Sequence, residues 1–303
     1  MHNKTDDKIY AKDVKKSNSI IKSSFMIMRK LYKDGKKDIV ILGDNSGDFK
    51  ASLVSTTLLE LGMVLNVKGK YTSIFEVSEY TIEKNSDLDI FLPKYKGNID
   101  KLLESIEKIS LEEFKSKEAI TLSDFFFKDN NFLEKFKFGI GGVSQHHNYR
   151  GGLAEHTLGV MMLTKNLAHT YDIRRKEIAI LGAKLHDIGK IHEFYHESPF
   201  RYSLRGEMEG HIVIGVQMVE EAFKKNPQLY TEDFIERIKA CIVQHHGKLE
   251  YGSPIEPKTE EAFILSIADN IDATMNKIQQ IRDITPENTW SNYDNRINTK
   301  LFL

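Results

Sequence analysis

The hydrophobic pattern of the 303-residue chain changes its period near residue 98, and this change divides the chain into two kinds of secondary structure. Before residue 98, short apolar runs are separated by turn residues, which is typical of β-strands. After it, apolar residues such as Ile99, Leu102 and Ile106 recur at helical spacing. The pattern predicts a multidomain protein with an all-β domain over residues 1–95 and an all-α domain over residues 96–303.

The first region contains five apolar runs that predict strands. They cover residues 20–28, 38–42, 49–54, 63–68 and 72–82, and a short helix is predicted over residues 55–61. Five strands with a short helix between the third and the fourth match the order of an OB-fold barrel. Residues 1–97 hold 17 basic and 13 acidic side chains, a balance of +4, against −5 for the rest. This basic excess fits a polyanion contact and a solvated basic face equally well.

The chain offers few features of a secreted or membrane protein. Cys241 is the only cysteine, so an intramolecular disulfide is excluded and a reducing compartment is favoured. The N-terminus lacks the apolar stretch of a secretion signal, and no apolar run approaches the length of a membrane span. We therefore expect a cytoplasmic protein that makes no membrane contact.

Histidines are concentrated in the helical region, where ten of the eleven lie between His146 and His246. Several belong to a series of imidazole and carboxylate groups, each on or at the end of a separate predicted helix. In chain order the series is His156, His186, Asp187, His211, His245, His246 and Asp269. A helical bundle brings such inward-facing groups to one cavity, so the series predicts a metal centre.

The dipeptide His186-Asp187 is the most informative part of this series, because it ends an apolar run. Burying an ionised aspartate there costs several kcal/mol unless a cation or donors compensate it. A carboxylate can bridge two cations, whereas a neutral imidazole binds one. We assign His156, His186, Asp187 and Asp269 to a first metal, with Asp187 bridging to a second that is held by His211 and by His245 or His246. The glycine at 247 indicates that the helix unwinds there, and His245 is the favoured ligand.

The predicted ligands contain nitrogen and oxygen but no sulfur. This set favours two divalent ions of Mn, Fe, Co or Mg over structural zinc. Two cations about 3.5 to 4 Å apart can activate a water and stabilise the leaving oxygen of a phosphoester, so the predicted chemistry is hydrolytic phosphoester cleavage. Lys190, one helical turn after Asp187, is a candidate catalytic and substrate-binding group, although an exposed lysine at a helix end has the same pattern.

Two segments are candidates for substrate contact. Tyr149 and Arg150 precede a glycine pair and a predicted helix start, where backbone N–H groups and an arginine can receive an anion. The loop after His246 supplies Lys248 and Tyr251, and an ordinary surface loop explains these two residues equally well.

The motifs carry a resemblance to a known family. His156, His186-Asp187 and Asp269 resemble the H…HD…D signature of the HD-domain metal-dependent phosphohydrolases. Residues 149–153, 186–190, 210–212, 245–254 and 269–273 are similar to motifs of the YhaM family of 3′-to-5′ exoribonucleases, and residues 44–51 to its OB-fold turn. The resemblance implies an OB-fold followed by an HD domain, Mn-dependent removal of nucleotides from the 3′ end of single-stranded RNA, single-stranded DNA as a second substrate, and a homo-oligomer.

The barrel departs from the family pattern at one point. Residues 53 and 54 are aliphatic where a large aromatic is expected on the third strand. Base stacking would then depend on other aromatic residues, each of which is also a candidate for the core. These residues are Phe25, Phe49, Tyr71, Phe75 and Tyr80.

Two other functions stay open. One is an HD-domain phosphohydrolase that acts on small nucleotides, although residues 251–254 lack the Gly-Tyr-Pro expected of a cyclic-di-GMP enzyme. The other is a nucleic-acid-binding protein without catalysis, for which the loss of some metal ligands would be expected. An added OB-fold favours a strand as the substrate, since such a barrel binds oligonucleotides.

Overall fold

The computed structural model describes residues 8–17, 19–55, 57–143 and 147–303, which fall into two compact units. The first unit contains the described residues up to Lys94 together with Tyr195–Phe200, and the second contains Tyr95–Phe194 and Arg201–Leu303. The prediction did not include the segment from 195 to 200 in the first unit. Phe200 packs against the apolar cluster that contains Met26 and Phe91, a contact that local sequence pattern does not reveal.

The first unit is a closed five-stranded β-barrel, which confirms the predicted all-β region and is consistent with an OB-fold. Its strands are β1 (Ile21–Asp34), β2 (Lys37–Asp44), β3 (Gly47–Leu53), β4 (Val64–Tyr71) and β5 (Phe75–Glu83). They pair in the order β1-β2-β3-β5-β4, and β1 closes the barrel on β4. The β3–β5 pairing is parallel and the others are antiparallel. Before the barrel lies a short helix, α1 (Ala11–Val14).

The segment between β3 and β4 differs from its prediction. The described residues of the predicted helix over 55–61 have no helical structure. Leu59 is buried in the barrel core, while Leu58 is exposed. The connection between β3 and β4 is therefore irregular and is anchored by the buried Leu59. The apolar content of this segment had suggested a helix.

Three phenylalanines form the centre of the barrel core. Phe25 and Phe49 lie edge to face with their ring centroids 4.8 Å apart, and Phe49 contacts Phe75 at 5.3 Å. All three are fully buried. A base cannot stack on a ring that has no exposed face. The prediction of a stacking platform is therefore wrong for these three, while Tyr71 and Tyr80 are partly buried against the same core.

The second unit is helical, as predicted, and a small hairpin that the sequence did not indicate lies at both ends of the segment from 195 to 200. Its helices are α2 (Ile99–Glu113), α3 (Lys117–Phe127), α4 (Asn130–Phe138), α5 (Gly152–Thr170), α6 (Lys176–Leu185), α7 (Lys190–Glu193), α8 (Leu204–Lys225), α9 (Glu232–Gln244) and α10 (Glu260–Ile284). The hairpin pairs two-residue strands, β6 (Phe194–Tyr195) and β7 (Arg201–Tyr202). Among the described residues, the longest helices are too polar for a membrane span.

Helix α6 occupies the middle of the helical unit and is packed against α5, α9 and α10. Every residue from Ile178 to Leu185 is buried. A helix that is apolar on all sides is typical of a core position. The end of α6 therefore delivers the residues that follow it, His186 and Asp187, into the interior.

The chain ends in a second hairpin-like segment after α10. The backbone N–H of Ser291 donates to the carbonyl of Leu301 at 2.8 Å, and Asp294 donates to Thr299 at 3.1 Å. Isolated bridges join Trp290 with Phe302 and Asp294 with Thr299. We call residues 289–303 the C-terminal hairpin.

Candidate metal centre

The structure brings all seven predicted metal-binding side chains together in the helical unit. His156 lies on α5, His186 and Asp187 follow α6, His211 lies on α8, His245 and His246 follow α9, and Asp269 lies on α10. Five separate helices therefore contribute to one centre, in the manner by which helical bundles build metal sites.

Asp187 lies in the middle of this centre, and its two oxygens face different imidazoles. Oδ2 is 3.3 Å from His186 Nε2 and 3.4 Å from His156 Nε2. Oδ1 is 3.5 Å from His211 Nε2 and 3.6 Å from His245 Nε2. The carboxylate thus separates two pairs of imidazoles, and this division matches the two ligand sets predicted from the sequence.

Asp269 belongs to the first of these sets by position. Its Oδ1 lies 3.0 Å from His156 Nε2. The side chain is on α10, which packs against both α5 and α6. One carboxylate oxygen of α10 therefore adjoins the imidazole of α5.

His186 and His245 are held by the same local device at the ends of their helices. His186 Nδ1 donates to the carbonyl of Ala183 at 2.8 Å, and His245 Nδ1 donates to the carbonyl of Ile242 at 2.7 Å. A carbonyl oxygen only accepts, so Nδ1 carries a proton in both rings, and Nε2 is the nitrogen that faces Asp187. Such bonds fix the tautomer and orientation of metal-binding imidazoles.

His156 and His211 are oriented by carboxylates that the sequence analysis missed. His156 Nδ1 is 2.7 Å from Asp272 Oδ2, and His211 Nδ1 is 3.0 Å from Glu193 Oε1. A signal for Asp272 was present, because it follows Asp269 by three residues and so shares its helix face. Glu193 has no comparable signal, since the short helix α7 and the turn after it are needed to bring it beside His211.

Two glycines allow these groups to approach one another. A Cβ at Gly189 would lie 2.0 Å from the carbonyl oxygen of His211, so only glycine fits there without displacing the backbone. Gly210 has φ 70° and ψ 158°, which interrupts α8 immediately before His211. The sequence on either side of Gly210 keeps helical spacing and gives no sign of this interruption. The interruption instead places His211 at the start of a new helical segment, where its backbone N–H donates to Glu193.

Several buried polar atoms in the centre have no hydrogen-bond partner among the described residues. They are Asp187 Oδ1, His211 Nε2, His245 Nε2 and His246 Nδ1. Each such atom costs about 1 to 3 kcal/mol when it is left unpaired. Asp187 Oδ1 and His245 Nε2 are both acceptors and face each other at 3.6 Å, an arrangement that a cation stabilises. The nitrogen and oxygen atoms present therefore fit divalent transition-metal ions.

The charges of the centre also suit a cation. Burial by itself would raise the pKa of the Asp187 carboxyl, but Lys190, His186 and His156 outweigh it and hold this pKa well below its usual range. Burial, aided by His246, lowers the pKa of His245 well below its ordinary value, so its imidazole is neutral. An ionised carboxylate and a neutral imidazole are the forms that bind metal.

His156 behaves differently. Burial lowers the pKa of its imidazole, but the hydrogen bonds that the ring donates to Asp187, Asp269 and Asp272 outweigh burial and raise this pKa well above the ordinary value. The proton on His156 Nε2 therefore faces Asp187 and Asp269, the two carboxylates predicted to bind the first metal. A cation that binds there must displace this proton, so metal binding releases protons.

A cavity of about 660 Å³ opens beside the centre. Its lining includes two of the predicted substrate-contact residues, Lys190 and Tyr251. The ammonium of Lys190 lies 2.6 Å from Asp187 Oδ2. Tyr251 is exposed where it lines the cavity.

Two other predicted substrate contacts are contradicted by their positions. The Arg150 guanidinium is buried over the ring of Phe138, 4.7 Å from the ring centroid. The Tyr149 hydroxyl donates to Glu155 and accepts from the Asn276 amide. Neither residue lines the cavity, because both belong to the packing behind His156.

Lys248 does not itself line the cavity but neighbours Tyr251, which does, and its contact with substrate stays a prediction. Its ammonium is 3.2 Å from Glu250 and lies over the Tyr251 ring at 5.5 Å from the centroid. His147, which the sequence left without a role, is buried, and its Nε2 is 2.9 Å from Asp272. His146 lies outside the described residues.

Comparison with known families agrees with this geometry. Residues 153–274 match the model of the HD domain family. The matched region contains all seven of the converging side chains, whereas the barrel and the C-terminal hairpin lie outside it. The helical unit therefore contains an HD domain, which implies a metal-dependent phosphohydrolase.

Proposed function

We propose that this protein is a metal-dependent 3′-to-5′ exoribonuclease that hydrolyses phosphodiester bonds of single-stranded RNA, with single-stranded DNA as a second substrate. The observation that supports hydrolysis is Asp187, whose two oxygens face separate pairs of imidazoles with unpartnered nitrogen atoms beside them. The exonuclease activity is supported by the resemblance of the motifs to the YhaM family. The five-stranded barrel supports a nucleic-acid substrate.

The proposed cofactor is a pair of divalent ions, with Mn favoured and Fe, Co or Mg as alternatives. His156, His186 and Asp269 would hold one ion, and His211 with His245 or His246 would hold the other. Asp187 would bind both. Bound ions of this kind supply a hydroxide at neutral pH and stabilise the leaving oxygen of a phosphoester.

Lys190 is the proposed electrostatic partner of the reacting phosphate. Burial lowers the pKa of its ammonium, but Asp187 outweighs burial and raises this pKa above its ordinary value, so the side chain stays charged. It lines the cavity beside the centre. A charge held in a partly dry site stabilises a developing negative charge more strongly than it would in water.

The activity can be tested with single-stranded RNA that carries a 5′ label, in the presence of Mn. We expect a ladder of labelled products that shortens from the 3′ end. Turnover of small nucleotides with an intact oligomer would instead identify a small-nucleotide phosphohydrolase. Binding of the oligomer without turnover of either would identify a nucleic-acid-binding protein.

Replacing Asp187 with alanine has the largest expected effect on this activity. Among the described residues, Asp187 is the carboxylate whose two oxygens face both imidazole pairs, so we expect kcat/KM to fall by about 10³-fold or more, equivalent to about 4 kcal/mol. Bound metal, measured on the purified protein by elemental analysis, should fall as well. Asp172→Ala, at an exposed position on the same unit, serves as the control. Full activity in the Asp187 variant would rule out the bridging role.

A further inference from the structure

One wall of the cavity begins inside the HD-domain match and continues beyond its end at residue 274. Asp269, Ala273 and Lys277 follow one another on α10 at intervals of four residues, and all three line the cavity. Residues at this spacing share one face of a helix. Lys277 therefore extends the line that starts at the metal centre, about 12 Å along the axis from Asp269 at the usual helical rise.

The C-terminal hairpin supplies the facing part of this wall through Arg296, Ile297 and Asn298. Its tip is held in place by polar contacts. Arg296 Nη2 is 2.8 Å from Asp294 Oδ2, and Arg296 Nη1 donates to Gln280 Oε1 on α10 at 2.6 Å. Because Gln280 lies three residues after Lys277, this bond fixes the hairpin tip beside Lys277.

Lys277 differs from the other cations of the cavity in having no hydrogen bond or ion pair with any described residue. Lys190 is paired with Asp187, and Arg296 is paired with Asp294. Lys277 is half-buried, and burial followed by the charge of Arg296 lowers the pKa of its ammonium, a shift that the charges of Asp269 and Asp294 offset only in part. A half-buried cation beside a second cation is destabilised unless an anion neutralises it.

We propose that Lys277 and the tip of the C-terminal hairpin form a phosphate subsite that binds a backbone phosphate other than the one being hydrolysed. The subsite lies about 12 Å along α10 from Asp269, a distance larger than one phosphate group. The two sites together therefore select a substrate with several phosphates along a strand. This inference rests on the proposed function and specifies its substrate class as an oligonucleotide.

The variant Lys277→Met tests the subsite because it keeps the length of the side chain and removes its charge. The quantity to compare is the ratio of kcat/KM for a single-stranded RNA oligonucleotide to kcat/KM for bis(p-nitrophenyl) phosphate, which has one phosphate. We expect this ratio to fall about tenfold, the change that corresponds to one phosphate contact of about 1.4 kcal/mol. Lys277→Arg should keep most of the ratio, and Lys224→Met, on the exposed end of α8, should leave it unchanged.

Binding provides a second readout that does not need turnover. A labelled oligonucleotide with cleavage-resistant phosphorothioate linkages can be titrated by fluorescence anisotropy at several salt concentrations. The slope of log K against log salt should become shallower by about 0.7 in Lys277→Met, as expected for one lost contact to a single strand. This measurement remains decisive if the wild-type protein hydrolyses neither substrate, a result that would refute the proposed function alone. An unchanged ratio together with an unchanged slope would overturn the subsite, and so would an equal loss on both substrates.

Discussion

The barrel and the helical unit each bury a row of aromatic rings, and the two rows have nearly the same geometry. In the barrel, the ring centroids of Phe25, Phe49 and Phe75 are separated by 4.8 and 5.3 Å. In the helical unit, the centroids from His156 to His186 are 5.2 Å apart, and those from His186 to His245 are 5.0 Å apart. Edge-to-face packing at this spacing is favourable for aromatic rings in general.

The two rows differ in their polar atoms. A phenylalanine ring has none, so burial completes the barrel row. The histidine row surrounds Asp187 and leaves His245 Nε2 and Asp187 Oδ1 unpartnered. The comparison shows that burial and ring packing do not distinguish a core from a site, whereas unpartnered atoms that face one another do.

Phe49→Ala is expected to have the largest effect that differs between the two rows, because it should change stability and leave metal binding unchanged. Removing this ring leaves a cavity in the barrel core and should lower the free energy of unfolding by about 4 kcal/mol. Bound metal should stay unchanged, because the barrel row holds no ligands. Chemical unfolding and elemental analysis measure the two quantities, and the exposed Tyr32→Ala is the control on the same barrel. Loss of metal in the Phe49 variant would show that the two rows are not independent.

A smaller effect is expected from Lys184, a buried cation of the helical unit that has protein partners. Its ammonium donates to Ser110 and Ser123 at 2.8 and 2.9 Å, and burial lowers its pKa from 10.5 to about 8. Between these two pH values the unfolded chain binds the proton more tightly than the folded protein does, so the stability of the folded state rises with pH. Deprotonation of Lys184 should add on the order of 3 kcal/mol to the free energy of unfolding. This gain is absent below about pH 8 and complete above about pH 10.5.

The variant Lys184→Met should remove this dependence. The measurement is the difference in unfolding free energy between variant and wild type, determined by chemical unfolding at pH values from 7 to 11 (about one pH unit apart). The variant should gain most in stability over the wild type at the lowest pH. This advantage should shrink as the pH rises from about 8 to about 10.5. Lys224→Met should show no such trend. A constant difference for Lys184→Met would mean that the ammonium is solvated as well in the folded state as in the unfolded one.

The smallest effect is expected from Asp272→Asn. This substitution leaves the histidine rings in place and changes only a carboxylate that hydrogen-bonds to one of them. Asp272 accepts from His156 Nδ1 and His147 Nε2, and the neutral amide would weaken both bonds. Loss of such a supporting carboxylate typically lowers metal affinity by about 10- to 100-fold. Metal titration measures this, with Asp283→Asn on the same helix as the control. Unchanged affinity would show that His156 is oriented without Asp272.

The sequence alone predicted the strand and helix regions and the seven converging side chains, because periodicity and residue type are local properties. It did not predict the supporting residues Glu193 and Asp272, or Lys277, for which we propose a phosphate subsite. Each of these acts through a neighbour that is remote in the chain or lies on another element. Local pattern offered a signal for Asp272 alone, through its spacing from Asp269, and none for Glu193 or Lys277.

The contrast between local pattern and contacts of remote elements also explains which predictions were wrong. Arg150 at a helix start has the pattern of an anion site, yet the fold covers it with Phe138. Phe25, Phe49 and Phe75 have the pattern of a stacking surface, yet closure of the barrel turns them inward. Residue type therefore determined what chemistry the chain can perform, and tertiary structure decided which groups reach a cavity. The physical reason is that burial and partner choice depend on contacts between elements far apart in the sequence, and these contacts exist only in the folded protein.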